Sequence, residues 1–188
     1  DGDLEFLEGK GLLTYITMGS SGCPKVIEAI VPILEQLGSR IVIAKAGKQL
    51  SLASTTPRTQ IFDFLPGSIV CQHSDLVICN GGSPTTNQAL TNGVPVLGIA
   101  ENMDQFLNME AIVAYGAGML IRADRATPEA LQQAIELLMT DQKFANCAKN
   151  LADTVNRAGS ASTLSVHILR QISEHKFSSL KREPSKPL

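Results

Sequence analysis

The chain has 188 residues, 44% of them hydrophobic and 18% charged, which is the balance of a globular protein long enough to bury a real core. A formal net charge of -2 offers no basic field to a polyphosphate backbone and argues against nucleic-acid binding as the main task; the longest apolar stretches fall short of a membrane span. Cys23, Cys71, Cys79 and Cys147 form no CxxC pair, and His73, His167 and His175 are scattered, so free thiols in a reducing cytoplasm are expected, with no zinc site.

Residues 1–10 are acidic and lack periodicity, as a linker would. Asp1 stands where an initiator Met would and no signal-peptide pattern follows, so the chain is expected to be part of something longer. Leu12 to Met18 reads as the first strand, ending in Gly19-Ser20-Ser21-Gly22. Pro24 then opens an amphipathic helix, with Val26, Ile27, Ile30, Ile33, Leu34 and Leu37 at helical spacing and Gly38 closing it. Arg40 to Lys45 is a second strand, and Gly47 to Arg58 is polar and loop-like. Gln60 to Leu65 gives a third strand before Pro66-Gly67, and Ser68 to Ser74 a short helix.

The most informative stretch follows. Asp75-Leu76-Val77-Ile78-Cys79 holds a short apolar run suited to a strand covered on both faces. It runs into Asn80-Gly81-Gly82-Ser83-Pro84-Thr85-Thr86. Gly81 and Gly82 permit a tight turn and close approach by another group. Ser83 reads as an N-cap and Pro84 as the first helical residue. The free N–H groups and positive end of that helix, with the Thr85 and Thr86 hydroxyls, would face the crevice beyond the strand's carboxyl end, where open α/β sheets bind ligands. Two readings stand side by side: a diphosphate site, or only a tight turn into a capped helix. Gly19, Ser20 and Ser21 form a second strand-to-helix turn at the same sheet edge, facing either the phosphates or an acceptor.

Gly93 ends the helix, and Val94 to Ile99 is the next buried strand. Asp104 to Tyr115 reads as a helix stopped by Gly116, with Asp104 a candidate cap, and Gly118 to Ile121 as a last short strand. From Thr127 the pattern becomes wholly helical. Thr127-Pro128-Glu129 makes a capped start with an acidic first turn, Asp141 to Val155 and Ser160 to His175 follow as two more helices, and 177–188 reads as a flexible tail. Alternating strands and helices imply an α/β fold: a doubly wound, mostly parallel sheet of about six strands with helices on both faces, followed by C-terminal helices.

In order, these residues resemble the C-terminal, donor-binding half of GT-B fold glycosyltransferases, in the branch of UDP-glycosyltransferases and bacterial antibiotic glycosyltransferases. That branch carries a glycine-serine loop after its first strand, then "FVPQ", "HGGxGTxxEAL", "GVP" and "DQxxNA". Here they stand as Met18-Gly19-Ser20-Ser21-Gly22, Phe64-Leu65-Pro66-Gly67, Asn80-Gly81-Gly82-Ser83-Pro84-Thr85-Thr86-Asn87-Gln88-Ala89-Leu90, Gly93-Val94-Pro95, and Asp104-Gln105-Phe106-Leu107-Asn108-Met109. Each motif is weak alone, and five in order are strong.

The resemblance implies a nucleotide-sugar domain over 11–176. Gly19, Ser20, Ser21, Asn80, Gly81, Gly82, Ser83, Thr85 and Thr86 would meet the donor diphosphate; Phe64, Leu65 and Gln88 the base and ribose; Asp104, Gln105 and Asn108 the sugar. It implies inverting transfer of a hexose from a UDP- or dTDP-linked donor to an acceptor hydroxyl, with no metal and no cofactor beyond the substrate. The general base and acceptor pocket would belong to an N-terminal half, in the same chain or a separate subunit, so no catalytic residue is assigned.

Three positions depart from the pattern. Asn80 replaces the usual His and keeps a donor without a titratable charge. Gln88 replaces Glu, and a neutral amide accepts a hydroxyl proton less strongly than a carboxylate. Gly67 replaces Gln. These changes leave open a binding-only subunit that works on a separate acceptor-domain protein. A dinucleotide-dependent oxidoreductase of similar build is the remaining alternative, against which Gly19-Ser20-Ser21-Gly22 is not GxGxxG and the Gly pair follows the fourth strand.

Overall fold

In a computed structural model, the structure describes residues 2–19, 22–52 and 56–158. The expected third C-terminal helix, the 177–188 tail, Ser20 and Ser21 lie outside them. The elements are α1 (Gly2–Leu7), β1 (Leu13–Thr17), α2 (Pro24–Gln36), β2 (Arg40–Ala44), β3 (Thr59–Phe62), α3 (Gly67–His73), β4 (Leu76–Cys79), α4 (Ser83–Thr91), β5 (Val96–Ala100), α5 (Met103–Tyr115), β6 (Gly118–Arg122), α6 (Pro128–Thr140) and α7 (Gln142–Ala158). Six strands form one sheet in the order β3-β2-β1-β4-β5-β6, and every pairing is parallel. This is the doubly wound α/β sheet expected from the sequence.

The period-two pleat of the strands divides the core into two layers. Ile41 and Ile43 of β2, Leu76 and Ile78 of β4, and Leu97 and Ile99 of β5 pack on one face against Ile27, Ile30 and Leu34 of α2 and Leu131, Ile135 and Leu138 of α6. Val42, Val77, Cys79 and Val96 point to the other face, against Val70 of α3, Leu90 of α4, Met109 and Ile112 of α5, and Leu151 of α7. β1, β4 and β5 are buried along their whole length, which is why β4 and β5 are continuous apolar runs, while β1 also buries Thr14 and Thr17.

Four local expectations are corrected. Residues 2–7, within the stretch expected to be an irregular linker, are helical. The Arg40 guanidinium holds the helix end, donating to the Phe6 carbonyl and, at 3.3 Å, to that of Leu7, and its other nitrogen donates to Gly11 O at 3.0 Å. Periodicity within ten residues does not reveal a partner thirty positions away. β3 stops at Phe62, short of Leu65, because Ala46 after β2 turns away with φ 51° and the last rung is Ala46 N–H to Asp63 O at 2.9 Å. Gly82, and not Ser83, is the N-cap of α4. Asn102 replaces Asp104 as the cap of α5, its side chain accepting from Gln105 N at 3.0 Å; Asn caps as well as Asp does.

Two glycines set how closely the layers approach. A Cβ at Gly98 would lie 2.4 Å from Met109 Cγ, so α5 rests directly on β5. A Cβ at Gly118 would lie 2.3 Å from the Val96 carbonyl oxygen and 3.1 Å from Ile112 Cγ2. The first neighbour is a flexible side chain and the second is backbone of the adjacent strand. Gly118→Ala is therefore expected to force β6 outward and to destabilise by about 1–3 kcal/mol, read as a lower thermal midpoint; an unchanged midpoint would mean that the edge strand yields freely.

Candidate functional site

Strand order reverses between β1 and β4. From β1 the sheet grows one way through β2 and β3, and from β4 the other way through β5 and β6. The register pairs Thr17 with Cys79, so the two chains leave the sheet side by side. α2 then packs on one face and α4 on the other. A crevice opens where such chains part.

Both turns into the crevice are glycine turns. Gly19 has φ 57° and Gly81 φ 82°, in the left-handed region that favours glycine. A Cβ at Gly19 would stand 3.3 Å from Asn80 Nδ2, so the turn after β1 and the turn after β4 meet at these residues. Asn80 is 8% exposed, and its Oδ1 accepts from Gly82 N–H at 3.1 Å. Beneath it Cys79 Sγ accepts from Gly81 N–H at 3.3 Å. The turn is thus braced from its own strand.

The helix termini around the crevice lack side-chain caps. This holds for α2, α3 and α4, whereas Asn102 caps α5 and Thr127 caps α6. In α4 the first N–H groups have no partner within the helix. Gly82 gives its N–H to Asn80 and Pro84 has none, which leaves those of Ser83 and Thr85. Ser83 is exposed and Thr85 half-buried. Two backbone donors and the positive end of the helix dipole are suited to an anion.

The other expected residues divide. Thr86 is fully buried; its hydroxyl donates to Ser83 O at 3.3 Å and accepts from Asn108 Nδ2 at 2.9 Å. The structure puts it under the turn and not in the crevice. Asn108 Nδ2 also donates to Gly81 O at 2.7 Å. Gln105 is 6% exposed, and its Oε1 accepts from Glu101 N–H at 2.8 Å. Asp104 is exposed in the first turn of α5.

On the other flank, Phe64 is 76% exposed, with its ring beside Gly47, where a Cβ would be 3.9 Å from Cζ. Leu65 and Gln88 are half-buried. The Gln88 carboxamide lies over Gly67, where a Cβ would be 2.4 Å from Oε1. Sequence reasoning missed Lys48, whose ammonium donates to Gly22 O and ties the loop after β2 to the loop after β1. Its only signal was a cation in a polar loop at the carboxyl edge.

Burial keeps the groups beneath the turn neutral. It pushes the Cys79 thiol up to about 12 against the smaller opposing effect of the Gly81 N–H. Burial, then the neighbouring Cys79, raises Cys71 to about 12. Burial, helped by Cys71, does the same to Tyr15. At neutral pH none is ionised, so none can take a proton from a hydroxyl or repel an anion above. A cavity of about 520 Å³ lies further along the edge, at the ends of β5 and β6, between Met103, Phe106 and Arg122. It includes no residue of the glycine turns, where the backbone donors converge.

The model of the family described as "Erythromycin biosynthesis protein CIII-like, C-terminal domain" matches residues 28–166. The chain belongs to this EryCIII-like C-terminal domain family. A "PGL/p-HBAD biosynthesis glycosyltransferase" of Mycobacterium tuberculosis is 39% identical over 141 residues, 75% of this chain and 33% of the relative. A "PGL/p-HBAD biosynthesis rhamnosyltransferase" of Mycobacterium bovis is 37% identical over 145 residues, 77% of this chain and 32% of the relative. The chain thus spans about a third of the length of the curated relatives it matches. Among solved structures, the spinosyn rhamnosyltransferase SpnG complexed with thymidine diphosphate aligns with a TM-score of 0.64 and 25% identity over 79% of this chain and 42% of that one. The glycosyltransferase VinC in complex with DTDP has the same fold, with a TM-score of 0.72 at 16% identity over 89% of this chain and 43% of that one.

In this EryCIII-like chain, Gly81 is the position where the turn tolerates least. A Cβ there would adopt φ 82° and lie 2.7 Å from Met109 Cγ and 3.2 Å from Gln105 O. Gly81→Ala should cost about 1–3 kcal/mol of stability from backbone conformation alone, seen in denaturant unfolding. A variant as stable as the wild type would show that α5 can withdraw from the turn.

Proposed function

We propose that this chain is the donor-binding half of a cytoplasmic glycosyltransferase that moves a hexose from a UDP- or dTDP-linked donor to an acceptor hydroxyl with inversion. The observation that carries the reading is the meeting of two glycine turns at the β1/β4 switch point, with the Ser83 and Thr85 N–H groups of an uncapped helix beside them. Relatives named as a glycosyltransferase and a rhamnosyltransferase support sugar transfer. A similar structure complexed with thymidine diphosphate supports a nucleoside diphosphate as the leaving group.

The α4 terminus stabilises the negative charge that grows on the diphosphate as the glycosidic bond breaks, the stage at which preorganised donors contribute most. Exposed Phe64 supplies a ring face for the base, Gln88 a neutral partner for the ribose, and Asp104 a carboxylate for sugar hydroxyls. Neither a metal nor a further cofactor enters this scheme, since N–H groups do the work of a cation. The base that activates the acceptor belongs to an N-terminal half in the same protein or in a separate subunit. No helix among the described residues is long and apolar enough to cross a membrane.

A thermal-shift panel with UDP, dTDP, GDP, ADP and NAD tests the reading. A ligand at a hundred times its dissociation constant adds about 2.7 kcal/mol to stability, and selective stabilisation by UDP or dTDP is expected. A response to NAD alone would replace this reading with an oxidoreductase domain, and silence from all five would move a partner-dependent subunit ahead of it. Asp104→Ala should weaken binding of the intact nucleotide sugar while leaving the bare nucleoside diphosphate almost unaffected; equal losses would remove Asp104 from the sugar site.

A further inference from the structure

Its i+4 spacing from Asp104 sets Asn108 on the helix face expected to meet the sugar, but the structure turns its amide the other way. Nδ2 donates one hydrogen to Gly81 O at 2.7 Å and the other to Thr86 Oγ1 at 2.9 Å. The Thr86 hydroxyl passes the sequence on by donating to Ser83 O at 3.3 Å. Both carbonyls can only accept, so the chemistry fixes which end of the amide faces the turn. One side chain from α5 thereby grips the β4–α4 connection on both sides of the Ser83 and Thr85 N–H groups.

We infer that Asn108 is a positioning residue that aims these donors at the diphosphate, and not a ligand of the sugar; this rests on the donor-site reading above. Removing the amide takes away both hydrogen bonds to the turn. It strips the Gly81 carbonyl of this donor and the buried Thr86 oxygen of its long-range one. The turn keeps Asn80 Oδ1 on Gly82 N–H and Cys79 Sγ on Gly81 N–H. The chain therefore still makes the turn, with the donors less well aimed. The effect falls on the phosphates, while the nucleoside is held elsewhere.

The test is calorimetric titration of the whole chain with dTDP, UDP, dTDP-glucose, UDP-glucose, thymidine and uridine. It uses the wild type, Asn108→Ala, Thr86→Val and the double variant; Thr86→Val keeps the volume, removes the acceptor and probes the same link should Asn108→Ala fold poorly. For whichever diphosphate the wild type binds, Asn108→Ala is expected to weaken the diphosphate and its nucleotide sugar by a similar factor of about ten, the worth of one or two hydrogen bonds. Nucleoside affinity should not change. Thr86→Val should give a smaller loss that does not add to that of Asn108→Ala, as expected of linked groups. A loss confined to the nucleotide sugar would make Asn108 a sugar ligand, and an equal loss for the nucleoside would make it a general structural strut; either overturns the inference. Unchanged diphosphate binding in both single variants overturns it and leaves the donor-site reading intact. A wild type that binds neither diphosphate removes both.

Discussion

The parallel pairing of β1 with β4 is the constraint on which the rest depends. It joins two halves of a sheet that grow in opposite directions, and its register brings Thr17 level with Cys79. The residues after each strand must emerge adjacent and then part to opposite faces. Any side chain at Gly19 would press on Asn80, and any at Gly81 would press on α5. The chain meets both demands with glycines in left-handed conformation, which leaves bare backbone at those two positions. Backbone donors can then approach a ligand closely.

A turn made of glycine is permissive, so something else must hold it still. Three side chains of different origin do so: Cys79 from the strand, Asn80 from the turn itself and Asn108 from α5. Close seating of α5 on β5, made possible at Gly98, brings Asn108 within reach. Cys79 shares its core layer with Cys71 and Tyr15, all three pushed up to about 12 chiefly by burial. A thiolate or phenolate there would oppose an anion above the turn. Packing these acids into the apolar layer holds them neutral even well above neutral pH, so none adds negative charge near the turn.

The sequence made the sheet legible because fully buried strands write themselves as short apolar runs and the intervening helices carry their own stops, as at Gly93 and Gly116. The crevice was also legible, since Gly81-Gly82 followed by Pro84 ties a turn to a helix start by local rules. What local pattern does not carry is the choice settled by distant partners. Ser83 and Asp104 are both acceptable caps, yet Gly82 and Asn102 hold those positions. Thr86 has a hydroxyl at the expected spacing, but Asn108 and the Ser83 carbonyl have already engaged it. The motif that groups Asn108 with Asp104 and Gln105 likewise carries no information about its hydrogen bond to a carbonyl 27 residues earlier. α1 depends on Arg40 in the same way.

Two departures from the glycosyltransferase pattern, Gly67 and Gln88, lie far apart in sequence and in contact in space. The Gln88 carboxamide oxygen occupies the place where a Cβ at position 67 would sit, at 2.4 Å, with the Tyr15 hydroxyl 3.6 Å from the same point. A side chain at 67 and the present rotamer of Gln88 exclude each other. The two positions therefore form one arrangement, in which a neutral amide rests on the bare backbone at the start of α3. Gly67 begins a helix with no side-chain cap, whose terminus carries partial positive charge that the partial negative charge of an amide oxygen complements.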